Sequence, residues 1–114
     1  MKITNLGKAE VEVIPNGDLT GEGAREFREA VGKLFVNGSR RFMLDFQNVS
    51  DISAEALATL LILDKKLEPE ADSFIRVSNL GEDMLRMFKA LGLETHCELE
   101  DAEISDEDEE EAVS

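Results

Sequence analysis

The sequence predicts a single α/β domain, a mixed β-sheet of about four to five strands with about three helices packed on it. Three observations carry this reading. Apolar runs of strand length alternate with segments whose apolar residues recur every three or four positions, in the order β-β-α-β-α-β-α-β. A helix follows most strands, and strand–helix–strand crossovers make at least part of the sheet parallel. The 114 residues show no internal repeat and no linker within the folded part, enough chain for one modest core.

Residues 2–5 and 9–14 read as two short strands joined by a tight hairpin at Leu6-Gly7-Lys8. Val11 and Val13, with Ala9, alternate against Glu10, Glu12 and Ile14, the period of a half-covered strand. Pro15-Asn16-Gly17 is turn chemistry. Thr20 can cap a helix starting near Glu22, in which Ala24, Phe27, Ala30, Val31, Leu34 and Phe35 form one apolar stripe. Asn37-Gly38 supplies the left-handed stop.

The centre of the chain is the stretch 42–67. Phe42, Met43, Leu44 and Phe46 make an apolar run too short for a helix, as expected of a strand covered on both faces. After the loop 47–52, Ser53 is a candidate N-cap and Glu55 lies favourably in the first turn of a helix that is almost wholly apolar from Ala54 to Leu63. Pro69 ends that helix, and Phe74, Ile75 and Val77 mark a strand over 73–77. Gly81 opens a short helix lined by Met84, Leu85, Phe88 and Leu91, Gly92 closes it, and 95–99 is a weak last strand. Met43, Met84 and Met87 read as core filler. The folded domain is therefore taken as residues 1–99. Residues 100–114 form an acidic tail with too little apolar surface to order itself, most simply a solubilising arm.

The net charge of −14 is uneven: ten acids and no base lie from Glu98 onward, so residues 1–97 carry sixteen acids against twelve bases. A mildly acidic fold without a basic cluster argues against nucleic acid or an anionic membrane as partner. Arg40–Arg41 and Lys65–Lys66 are isolated pairs, expected at solvated edges. No apolar run reaches membrane-spanning length and MKITNLGKAE is not a signal peptide, which points to a soluble, cytoplasmic protein without membrane insertion.

Catalytic patterns are missing. Gly21-Glu22-Gly23 lacks the rest of a phosphate loop, and a lone Cys97 excludes both a disulfide framework and a Cys-only zinc site. The one histidine, His96, adjoins Cys97 in the last strand, where neighbours point to opposite faces and cannot form a nucleophile–base pair. Asp51 and Glu55 flank a helix start, but nothing marks a cleft around them, and a surface carboxylate pair is the simpler reading. No enzyme, cofactor or metal is expected.

Four segments, in this order and spacing, resemble the STAS domain family, the fold of bacterial anti-sigma factor antagonists. They are Gly17-Asp18-Leu19 after the second strand, the strand and loop 42–49, the helix start Ser53-Ala54-Glu55-Ala56-Leu57, and Asn79-Leu80 leading to Met87-Phe88-Lys89-Ala90-Leu91-Gly92-Leu93. The likeness covers roughly residues 8 to 97. It implies a protein-interaction module that binds an anti-sigma factor kinase and so frees a sigma factor. In such antagonists the kinase inactivates the domain by phosphorylating a serine at the helix start, in a sequence typically Asp-Ser-Ser/Thr-Gly-Leu. Here the acceptor position falls on Ala54, which has no hydroxyl. The resemblance thus implies a constitutive binder; a one-residue shift of the acceptor to Ser53 is the alternative, and a plain N-cap is its simplest role. Glu55 places a permanent charge in the same turn, smaller than the roughly −1.5 to −2 of a phosphoryl group.

The contact surface implied is Asp18, Leu19 and Thr20, the loop residues Ser50, Asp51, Ile52 and Ser53, and Ala54, Glu55 and Thr59 of the helix, with Leu19 and Ile52 either central apolar contacts or core. A homodimer is left open. The competing expectations are a subunit of a lipid- or anion-transport assembly, bound to an ATPase or transporter, and a nucleotide sensor, which the missing phosphate loop disfavours.

Overall fold

The computed structural model describes residues 1–101. The chain runs β1 (Lys2–Gly7), β2 (Glu10–Ile14), α1 (Gly21–Val36), β3 (Arg41–Asp45), α2 (Ala54–Leu67), β4 (Phe74–Leu80), α3 (Glu82–Ala90), a one-turn 3₁₀ helix (Leu93–Thr95) and β5 (Glu98–Asp101). The strands form one sheet in the order β1-β2-β3-β4-β5; β1 is antiparallel to β2 and the remaining pairs are parallel. The mixed sheet with three helices is the α/β class that the sequence predicts. The acidic stretch 102–114 lies outside the described residues.

Strand order equals sequence order, so three right-handed crossovers lay α1, α2 and α3 on the same face of the sheet. Burial follows. Val11, Phe42 and Ile75 pair across one row, Val13, Leu44 and Val77 across the next, and all six are buried. They meet Ala24, Phe27 and Val31 of α1, Ala56, Leu60 and Leu63 of α2, and Met84 and Phe88 of α3 in one core. Phe27 packs edge-on against Phe46 at 6.2 Å between ring centroids.

The expectation that β3 is covered on both faces is corrected here. Arg41, Met43 and Asp45 point away from the helices and are only half-buried, so β3 alternates like its neighbours. The run looked continuous because Met43 is apolar. It is not core filler: it lies in a row with Glu12, Arg76 and Glu98 on the open face. That face satisfies itself. The Arg76 guanidinium donates to Glu98 at 2.9 Å and lies 4.5 Å over the Phe74 ring, and Arg41 pairs with Glu10 at 3.8 Å.

Other boundaries shift for local reasons. The hairpin turn is Lys8-Ala9, both at positive φ, so Ala9 is exposed in the turn and does not continue the Val11–Val13 face. Gly7 carries the accompanying irregularity in register. At the end of α1, Gly38 at φ 107° lets Ser39 N–H reach the Leu34 carbonyl at 2.9 Å. Arg40 and Arg41 are half-buried staples, not solvated edges. Arg40 donates to the Phe35 and Ser39 carbonyls, each at 2.8 Å, and to Glu70 at 3.1 Å; Arg41 donates to the carbonyls of Lys8 and Asp72.

The last strand starts at Glu98 and not at Thr95, because Gly92 in the left-handed region turns residues 93–95 into a helical turn. His96 therefore precedes the strand, and the alternation argument does not govern it: Nδ1 lies 2.7 Å from Asp64 of α2. Cys97 is buried beneath, and burial first, with Asp64 second, pushes its thiol up to about 12.

Candidate docking face

The loops at the C-terminal ends of β2 and β3 are laced together before any side chain is left over for a partner. Leu19 and Ile52 form a parallel bridge, in which Leu19 N–H donates to the Asp51 carbonyl at 3.0 Å and Ser53 N–H to the Leu19 carbonyl at 2.9 Å. Asp18 Oδ1 accepts the backbone N–H groups of Ser50 (2.7 Å) and Asp51 (3.1 Å). A charged acceptor with two amide donors makes the stronger class of hydrogen bond. Together these contacts turn two loops more than thirty residues apart into one ledge.

Helix geometry fixes the ledge from below. Thr20 is the N-cap of α1, yet its side chain makes no capping bond; its carbonyl accepts Gly23 N–H at 2.9 Å and Ala24 N–H at 3.3 Å. Gly23 sits so close to the preceding loop that a Cβ there would overlap the Asp18 carbonyl oxygen. On α2, Ser53 Oγ accepts Ala56 N–H at 3.3 Å, the N-cap role read from the sequence.

The candidate residues divide sharply by burial. Asp18, Ser50, Asp51, Ala54 and Glu55 are exposed, and Thr20 and Ser53 are half-buried. Leu19, 1% exposed, and Ile52, 7% exposed, belong to the core, as does Thr59, whose hydroxyl donates to the Glu55 carbonyl at 3.1 Å. These three support the face and do not present it. Asp51 and Glu55 are not a pair. Asp51 Oδ1 accepts Ile52 N–H at 2.9 Å, while Glu55 takes the guanidinium of Arg28 from α1.

Arg28 and Gly23 are the contributors that reading the sequence missed. Arg28 is twenty-seven residues from Glu55, and its position on the outer side of α1, one step from Phe27, is the only hint that it faces α2. The pairing also changes the meaning of Glu55, which carries a salt bridge to Arg28 within the domain and so differs further from a phosphoryl group.

Beside the ledge, an open cleft of ≈ 550 Å³ separates the β3–α2 loop from the start of α3, with Phe46 and Met84 beneath Gln47, Ser50 and Asn79. Asp45 holds its rim: Oδ1 accepts Asn79 Nδ2 (2.8 Å) and Gln47 N–H (3.0 Å), and Oδ2 accepts Gln47 Nε2 (3.0 Å). Asn79 adopts φ 60°, a conformation Asn tolerates better than most residues. Among the described residues no group of three or more His, Cys, Asp or Glu side chains could hold a metal ion, and no helix is long and apolar enough to cross a membrane.

Comparison with known proteins agrees with this geometry. A family model described as "Mlab, STAS domain" matches residues 7–101. No curated protein matches the chain. Among solved structures, the Thermotoga maritima protein TM1081 is similar at TM-score 0.73 and 21% identity over 85% of this chain and 83% of its own. The anti-sigma factor antagonist SpoIIAA in its unphosphorylated form gives TM-score 0.65 and 16% identity over 77% and 80%. The Bacillus cell fate determinant SpoIIAA in its phosphorylated form gives 0.67 and 18% over 98% and 95%. At these identities the likeness establishes the fold.

Proposed function

The chain belongs to the STAS domain family, and from that premise we propose that it is a non-catalytic interaction module of the anti-sigma factor antagonist type, docking an anti-sigma factor kinase on the ledge. The observation that carries this reading is the division of labour at the ledge: backbone groups and Asp18 hold it, leaving Ser50, Asp51, Ala54 and Glu55 exposed on one preformed surface. A preformed face loses little conformational freedom on binding.

Ala54 is exposed at the first turn of α2, where a serine would be open to a kinase, so the domain binds constitutively. Ser53 is the weaker alternative acceptor, because its oxygen already caps the helix. Ala54→Ser should restore modification by the cognate kinase, seen as one added phosphoryl group in the intact mass. An unchanged mass would remove the switch from the proposal.

The test of the whole reading is affinity capture from native cytosol with the wild type and Asp51→Lys as baits. A kinase-type anti-sigma factor held by the first and lost by the second supports docking on the ledge; equal retention moves the interface elsewhere. The lack of a hydroxyl at Ala54 also favours a second reading, a subunit of a lipid- or anion-transport assembly, which needs no phosphorylation switch. Capture of a membrane ATPase or transporter subunit would decide for it.

A further inference from the structure

The flank formed by α1 and α2 carries a surface that the ledge does not use. A groove of ≈ 250 Å³ runs between the two helices over Val31, Phe35 and Leu63, opening at Gly32, where α1 has no side chain to close it. A second hollow of ≈ 350 Å³ adjoins it through Arg28 and Gly32 and reaches Val36. Ile62 in the first is 55% exposed and Val36 in the second 80%. Large apolar side chains left out together beside a groove mark a contact surface more often than isolated ones do.

The rim has a sign. Lys33 lines one hollow and Lys66 the other, with Lys65 beside it, and none of the three forms an ion pair among the described residues. Along α1 the acid one turn before Lys33, Glu29, is engaged by Arg25, and along α2 Asp64, next to Lys65, lies against His96. An otherwise acidic chain thus keeps lysines without ion pairs beside an apolar groove, Lys66 Nζ lying 5.6 Å over the Phe35 ring.

We propose that this groove docks an acidic amphipathic helix of a partner protein, its apolar side chains on Ile62 and Val36 and its carboxylates on Lys33 and Lys66. A single helix in an apolar groove presents anchors at three- and four-residue steps, and the flanking charges select its sign and register. A second copy of this flank would bring the same lysines face to face, which disfavours self-association here.

The test uses the full chain, isotope-labelled for NMR, and two synthetic amphipathic helices of about four turns that share an apolar face, one with Glu and one with Lys on the polar face. The Glu peptide should shift the amide signals of Gly32, Thr59 and Ile62 saturably, and the Lys peptide should not. Ile62→Asp, or Lys33→Glu with Lys66→Glu, should weaken binding at least about tenfold, while Asp51→Lys leaves it unchanged and so separates this surface from the ledge. Signal dispersion in the free variants verifies their fold. Equal binding of both peptides, shifts centred elsewhere, or indifference to the double charge reversal would overturn the proposal. Replacing the acids of 103–111 by Gln should leave affinity unchanged; a rise of about tenfold would mean that the chain's own acidic segment holds the groove, and the partner reading would fall.

Discussion

The two ends of the sheet solve the same problem in opposite ways. Each must tie down loops that connect strands to helices. Where β2 and β3 finish, the ties are short: a backbone bridge between Leu19 and Ile52, and one carboxylate, Asp18, accepting two amides. Where β3 and β4 begin, backbone bonds from Arg40 and Arg41 to the Ala9 carbonyl are joined by long side chains reaching back to carbonyls, Arg40 to Phe35 and Ser39, and Arg41 to Lys8 and Asp72, with Asp64 and His96 closing the far side. The first end keeps Asp18, Asp51 and Glu55 exposed even where they accept hydrogen bonds; the second draws its arginines half-buried along the fold. A surface that holds itself largely by backbone contacts retains chemistry to offer, which is why the proposed docking face lies at the first end.

Substitutions can break or sharpen this contrast. The largest effect is expected at Gly23. Alanine is the better helix former by about 1 kcal/mol, yet its Cβ would overlap the Asp18 carbonyl, so Gly23→Ala should lose about 1–3 kcal/mol of stability, the usual range for overpacking. A lowered midpoint in urea, with partner capture lost in parallel, would show that ledge and fold are one unit. Next is Arg40→Ala, which removes bonds to two carbonyls and to Glu70 and should lower stability by about 1–2 kcal/mol while leaving partner capture intact. Asp18→Ala should reverse that pattern, with about 1 kcal/mol in denaturation and a larger loss in capture. If both variants affect capture alike, the contrast between the ends fails.

The effect of pH at Cys97 shows only in alkali. Its thiol is held up to about 12, against 9.0 for an unperturbed thiol, by burial and then by Asp64. The folded state therefore favours the protonated form. Its contribution is complete below about pH 9 and is lost as pH rises from there through about 12. The urea midpoint of the wild type should fall more steeply over that range than that of Cys97→Ala, and thiol reagents should react slowly until the protein unfolds. Least of all is Glu55→Gln, because its pair with Arg28 is exposed and such pairs contribute about 0–1 kcal/mol; double-mutant denaturation with Arg28→Ala measures it.

What was legible in the sequence was what repeats along it. Val11 and Val13 gave the period of β2, the stripe from Ala24 to Phe35 gave α1, and Ser53 gave the start of α2. What was hidden is contact between distant positions. No local pattern says that Asp18 serves Ser50 and Asp51, that Arg28 meets Glu55, or that His96 finds Asp64. Composition misled in two places: apolar Met43 made a one-sided strand look two-sided, and paired arginines looked solvated although their stems lie along the fold. The hydroxyl missing at Ala54 was legible at once, but the burial of Leu19, Ile52 and Thr59 depends on packing that only the assembled sheet supplies.

The consecutive strand order has a consequence for synthesis on the ribosome. Each parallel strand pairs with the one made just before it, and each helix falls on the face its predecessors have already begun to cover. Nothing translated early waits for a late strand to be inserted beside it, as a central strand contributed by the C-terminus would require. The domain can grow outward from its first hairpin while translation continues: β1 stays as one edge, and the newest strand forms the other, which the next strand closes.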